Sequence, residues 1–158
     1  MLDNYRVAGV SGNWVHLARN PGPLRTESRF TLLGRTSARL GQEVAVPPGT
    51  GPVFAEIELT PSFYGRLLNI PYKLPKLELT LTCSNNSRAV YRVVAGMTET
   101  GLFVSPLITD NEGFVRLFDP SQSMTEEAKV IAMRIDSDGR GWSGTYRITF
   151  RQYQYGSS

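Results

Sequence analysis

The sequence predicts an all-β fold: an antiparallel β-sandwich, jelly-roll-like, with roughly seven or eight strands and two short helices in its connections. Three observations carry that expectation. Val53–Thr60 and Leu77–Cys83 alternate, with Val53, Ala55, Ile57 and Leu59 apolar in the first run and Leu77, Leu79, Leu81 and Cys83 in the second. From Glu56 on the facing positions are Glu or Thr, so one face belongs to a core and the other to water. Turn-forming clusters separate such runs: Pro47-Pro-Gly-Thr-Gly-Pro52, Ser84-Asn-Asn-Ser87 and Ser137-Asp-Gly-Arg-Gly141. Finally, 158 residues with 41% hydrophobic and 20% charged side chains make an ordinary globular composition of one-domain size.

Taken in order, residues 1–27 are weakly patterned and read as a leader or linker with room for one strand or one helical turn, with Asn20-Pro-Gly-Pro23 as a firm break. Residues 28–155 form the sandwich domain and 156–158 a tail. Arg29–Leu33 is a first strand ended by Gly34, and Thr36–Val46 a second with a turn or bulge at Gly41. After Val53–Thr60, Thr60 as N-cap and Pro61 at the first helical position predict a short helix through Leu68. Leu77–Cys83 and Arg88–Val94 form a hairpin, because Asn tolerates the left-handed conformation its turn needs. Gly101–Pro106 is a strand. Asp110–Phe118 is a second short helix, capped by Thr109 or Asp110. Ala128–Asp136 is a strand with Ile131, Met133 and Ile135 on one face. The last strand turns Tyr146, Ile148 and Phe150 inward, and Thr145, Arg147, Thr149, Arg151 and Tyr153 outward.

Composition excludes several classes of function. No apolar run approaches the roughly 20 residues that span a bilayer, and the N-terminal residues lack a signal-peptide pattern. The net charge is +3, but the arginines are scattered rather than gathered into a basic stripe, so nucleic acid is not the expected partner. One cysteine and one histidine rule out an intrachain disulfide and a zinc site of three or four N/S ligands within the chain. Cys83 continues an apolar strand face and is expected in the core.

The carboxylate pair Glu56 and Glu58 is the sharpest catalytic pattern. Residues two apart on a strand share a face, roughly 6–7 Å apart, and glycosidases use two carboxylates about 5–9 Å apart. The jelly-roll glycosidase pattern Glu-apolar-Asp-apolar-apolar-Glu is met only in its first half, since its last acid falls on Pro61 and its central acid on Glu58. Solvent-facing acids on a half-exposed strand are the expected reading, with a glycoside-active enzyme as the alternative. Asp136-Ser-Asp-Gly-Arg-Gly141 opens like a calcium loop but lacks the later ligands. No cofactor is expected, and a structural calcium would need Asp110 or Asp119 beside these residues. The aromatic residues Trp142, Tyr153, Tyr64 and Tyr72 sit at strand ends or in loops, where rings can stack on sugars while Arg66, Glu56 or Glu58 hydrogen-bond hydroxyls. The insert between Pro61 and Pro75 is the first place to expect a contact surface.

Gly51-Pro-Val-Phe-Ala-Glu-Ile-Glu-Leu-Thr-Pro-Ser-Phe-Tyr-Gly-Arg-Leu67, Pro75-Lys-Leu-Glu-Leu-Thr-Leu81, Tyr91-Arg-Val-Val-Ala-Gly-Met97, Gly101-Leu-Phe-Val-Ser-Pro-Leu-Ile108 and the Val130–Ile135 strand occur in that order. This succession resembles the soluble β-sandwich domain that follows the membrane-spanning part of some bacterial membrane proteins of glycan transfer, over residues 28–152. The resemblance implies an extracytoplasmic, non-catalytic module that contacts a carbohydrate or glycan-lipid head group, or the parent membrane domain. It carries no catalytic residues, because any transferase acids would lie in the membrane part. A protein–protein interaction module is the remaining alternative.

Overall fold

The computed structural model describes residues 4–22, 29–68, 74–118 and 128–155, with the side chains of 64, 67 and 68 left undescribed. Eight strands build two four-stranded antiparallel sheets. Sheet I has the order β3 (Phe30–Arg39), β10 (Thr145–Tyr153), β5 (Val53–Glu58), β8 (Leu102–Ser105). Sheet II has the order β4 (Glu43–Ala45), β9 (Val130–Ser137), β6 (Leu77–Cys83), β7 (Arg88–Val93). Apart from the β6–β7 hairpin, every connection within β3–β10 crosses between sheets, which is the jelly-roll strand order.

The core lies between the inner faces. Ala55, Ile57, Ile148 and Phe150 of sheet I meet Leu77, Leu79, Leu81, Cys83, Met133 and Ile135 of sheet II, all buried. Each fully buried aliphatic or aromatic side chain of this kind stabilises the fold by about 1.5–3 kcal/mol. Cys83 takes its expected place in that core. Short helices sit in connections: α1 (Phe63–Leu68), a single turn α2 (Ala95–Thr98) and α3 (Asn111–Arg116). No helix among the described residues is long and apolar enough to cross a membrane.

Local details refine the expected boundaries. The first strand does not end at Gly34. It runs on to Arg39, with Gly34 beside the bulge at Phe150/Arg151, and the break falls at Gly41, whose φ of +81° suits glycine. Helix α1 begins after Pro61, which instead forms an isolated bridge to Trp142. Ser62 is the cap, its Oγ accepting from the Gly65 amide at 3.0 Å. Gly65 has to be glycine here, because a Cβ would meet the Gly141 carbonyl oxygen. Asp110 caps α3 as expected, accepting from the Gly113 amide at 2.7 Å. The Ser84–Ser87 turn also forms as expected, with Asn86 at φ 63°. Ile131 leaves the core face assigned to it. A bulge at Thr82/Cys83 shifts the pairing so that Val130 points inward and Ile131 is exposed.

Residues 4–22 form two strands where one strand or one helical turn was expected. Strands β1 (Tyr5–Ser11) and β2 (Trp14–Arg19) pair antiparallel around Gly12 and Asn13. A Gly-Asn pair between two alternating runs is a two-residue hairpin signal. The register puts Tyr5, Val7, Val10, Val15 and Leu17 on one face, yet no residue of either strand is buried.

Candidate functional site

Strand β10 lies between β3 and β5, and its outward residues bring three strands together on one open face. Thr149 sits between Arg35 and Glu56, Arg147 between Ser37 and Glu58, and Arg151 between Leu32 and Phe54. Their neighbours Ile148 and Phe150 point the other way into the core, so packing fixes the register that exposes them. Arg147 Nε donates to Glu58 Oε2 at 3.0 Å, and its Nη2 donates to the same oxygen. Arg151 Nε lies 2.7 Å from Glu56 Oε1. That contact is an ion pair only, because the N–H is not directed at the carboxylate. Around these residues lies a shallow depression of about 650 Å³.

The other end of the same face is aromatic. Rings of Tyr155, Tyr153, Phe30, Phe54 and Phe103 follow one another edge to face, with centroids 5.2–5.6 Å apart. The ladder touches all four strands of sheet I. The Tyr155 hydroxyl donates to the Leu117 carbonyl at 2.8 Å, tying this end to the turn after α3.

The structure distributes the residues singled out in the sequence. Glu56 and Glu58 share the sheet I face, and each pairs with an arginine, Glu58 remaining exposed. Tyr153 keeps its outward direction but is only 4% exposed, because Phe30 and Tyr155 cover it. Its ring is a packing element, not a stacking platform. Trp142 packs against the core and donates from Nε1 to the Pro75 carbonyl at 2.9 Å, so the indole holds the insert against the sandwich. Arg66 is exposed on α1. The Tyr64 side chain and all of Tyr72 lie outside the described residues.

Two further hollows are present. An apolar groove of about 340 Å³ opens between the edge strands β7 and β8, with Tyr91, Val94 and Met97 exposed along it. A polar hollow of about 300 Å³ lies between the Ser84–Ser87 turn and α3, where Arg116 pairs with Glu112. At the calcium-like turn Asp136 accepts from Arg134 Nε at 2.8 Å, and Asp119 is outside the described residues. Among the described residues no three His, Cys, Asp or Glu side chains cluster to hold a metal ion.

Comparisons with family models, with curated proteins and with solved structures gave no match to this chain. The partners of Glu56 and Glu58 are what sequence reasoning missed. The outward Thr145-x-Arg147-x-Thr149-x-Arg151 alternation was legible, but nothing local says that this strand, some 90 positions from Glu58, is its neighbour.

Proposed function

We propose that this chain is a non-catalytic carbohydrate-binding module of a bacterial membrane protein of glycan transfer, acting outside the cytoplasm, with the outer face of sheet I as its binding surface. One observation carries the reading: the Arg147–Glu58 pair, directly across two strands, and the diagonal Arg151–Glu56 pair lie on an open sheet face beside the aromatic ladder. Sugar hydroxyls both donate and accept. Carboxylates offer only acceptors and guanidinium groups only donors, so alternating pairs present both to one ring. Fixing these side chains before binding reduces the ordering cost of recognition, while Phe54 and Phe103 supply apolar edge for C–H faces. The succession of motifs that resembles the extracytoplasmic sandwich domains supports the membrane-protein context, and glycan-lipid head groups fit the same surface.

The glycosidase alternative keeps Glu56 and Glu58 as its acid pair, each beside an arginine. The interaction-module alternative is favoured by a different observation, the uncovered apolar faces of the hairpin and of the β7–β8 groove. Calorimetric titration of glycans against the wild type and an Arg147→Ala/Glu58→Ala variant separates these readings. Affinity is expected to fall about tenfold or more with the fold unchanged. Sugar binding that survives the double change moves the site elsewhere, and glycan hydrolysis by the wild type returns the enzyme to first place.

A further inference from the structure

We infer that the glycan this face takes is anionic, with Arg35 anchoring its carboxylate or phosphate; the inference rests on the carbohydrate reading above. The outer face of sheet I is electrically lopsided. Arg35 and Arg39 lie on the edge strand β3, Arg147 and Arg151 on β10, and both acids, Glu56 and Glu58, on β5. Glu58 compensates Arg147 and Glu56 compensates Arg151. Arg35 and Arg39 are exposed, and neither side chain has an ion-pair partner among the described residues. Four guanidinium groups against two carboxylates leave two positive charges, both on the β3 side.

Arg35 has a defined position in that field. It lies directly across from Thr149, and the diagonal positions about 7–8 Å away are Arg147 and Arg151. The Thr149 hydroxyl and three guanidinium groups therefore bound one corner of the face, with Arg35 alone free to meet a ligand charge. The planar fork of a guanidinium matches two oxygens of a carboxylate or phosphate and adds orientation to charge. On the other side Glu56 and Glu58 accept from neutral hydroxyls. A ligand with an acid group at one end and hydroxyls at the other satisfies both halves at once. A neutral sugar leaves Arg35 solvated and unused. A nucleic acid backbone would set its phosphates against the two glutamates as well as the arginines, which like-charge repulsion disfavours.

The test is an array of matched uronic-acid, phosphorylated and neutral glycans, followed by calorimetry of the tightest acidic ligand and its methyl-esterified or dephosphorylated analogue. Acidic glycans are expected to bind about tenfold or more tighter than their neutral analogues. Arg35→Gln is expected to remove that difference while leaving the neutral analogue's affinity unchanged, and added salt to weaken the acidic ligand alone. The uronic and phosphorylated arms separate the two sources of charge. Equal binding of acidic and neutral glycans by the wild type overturns the inference and leaves the carbohydrate reading standing. An acidic preference untouched by Arg35→Gln also overturns it, by placing the charge site elsewhere. No binding of any glycan removes both.

Discussion

Strand β5 and the β1–β2 hairpin carry apolar residues in the same alternating way and end in opposite environments. In β5, Val53, Ala55 and Ile57 are 0–2% exposed, because sheet II closes over them. In the hairpin, Tyr5, Val10 and Leu17 remain 40–53% exposed. The hairpin reaches the sandwich near α3, where Asn111 Nδ2 donates to the Gly12 carbonyl at 3.2 Å. An alternating pattern creates a face that can be buried, but only a second layer buries it. A two-stranded ribbon without one is marginally stable in water, so the hairpin adds little to the stability of the domain.

The largest expected effect tests that contrast directly. Ile57→Ala deletes fully buried atoms and is expected to cost about 2–5 kcal/mol in urea unfolding, whereas Leu17→Ala is expected to stay within about 0.5 kcal/mol. Comparable costs would mean that the hairpin is packed as firmly as the core. A smaller effect sharpens how the sandwich is closed. The Thr98 hydroxyl is buried and lies 2.7 Å from the carbonyl oxygens of both Ile57 and Ala95, pinning α2 to the end of β5. Thr98→Val keeps the shape and removes the donor, with an expected loss of about 1–3 kcal/mol. No change in the unfolding midpoint would show that α2 is held by packing alone.

The smallest effect at neutral pH concerns Tyr146, a core residue without a counterpart in the hairpin. Its buried hydroxyl makes no hydrogen bond of good geometry among the described residues. Burial pushes its pKa above the usual 10.0, the Asp136 carboxylate adds to the rise, and the Ile135 backbone opposes both. The unfolded chain therefore ionises first at this position. Its contribution is whole below the ordinary tyrosine pKa and is lost as pH rises through that value toward the folded one. Tyr146→Phe is expected to flatten the alkaline fall in stability relative to the wild type, at a neutral-pH cost under about 1 kcal/mol. An unchanged alkaline slope would show that Tyr146 ionises as freely folded as unfolded.

Much of the fold was legible wherever a local signal sufficed. The alternation of β5 and β6, the Asp110 cap of α3 and the Asn85–Asn86 turn each follow from a few adjacent residues. Legibility failed at bulges, where one extra residue reverses the inside–outside parity and moves Ile131 to the surface. It also failed in the hairpin, where the Gly12–Asn13 signal was present but diluted by polar neighbours. For the candidate site only half was readable. Glu56 and Glu58 stood out as a pair, while Arg35, Arg147 and Arg151 are ordinary scattered arginines until β3 and β10 are placed beside β5. Trp142 and Tyr153 stood out for the opposite reason: an aromatic ring at a strand end looks available until its neighbours cover it.

By itself, the sequence determined the fold class and most inward-facing residues, because a period of two and the turn chemistry are local properties of the chain. The tertiary structure alone decided the jelly-roll strand order, the pairing of both glutamates with arginines and the place of Arg35 across from Thr149 on the same face. Those depend on which distant strands hydrogen-bond to one another, and that choice is made by the burial of whole sheet faces rather than by any short run of residues.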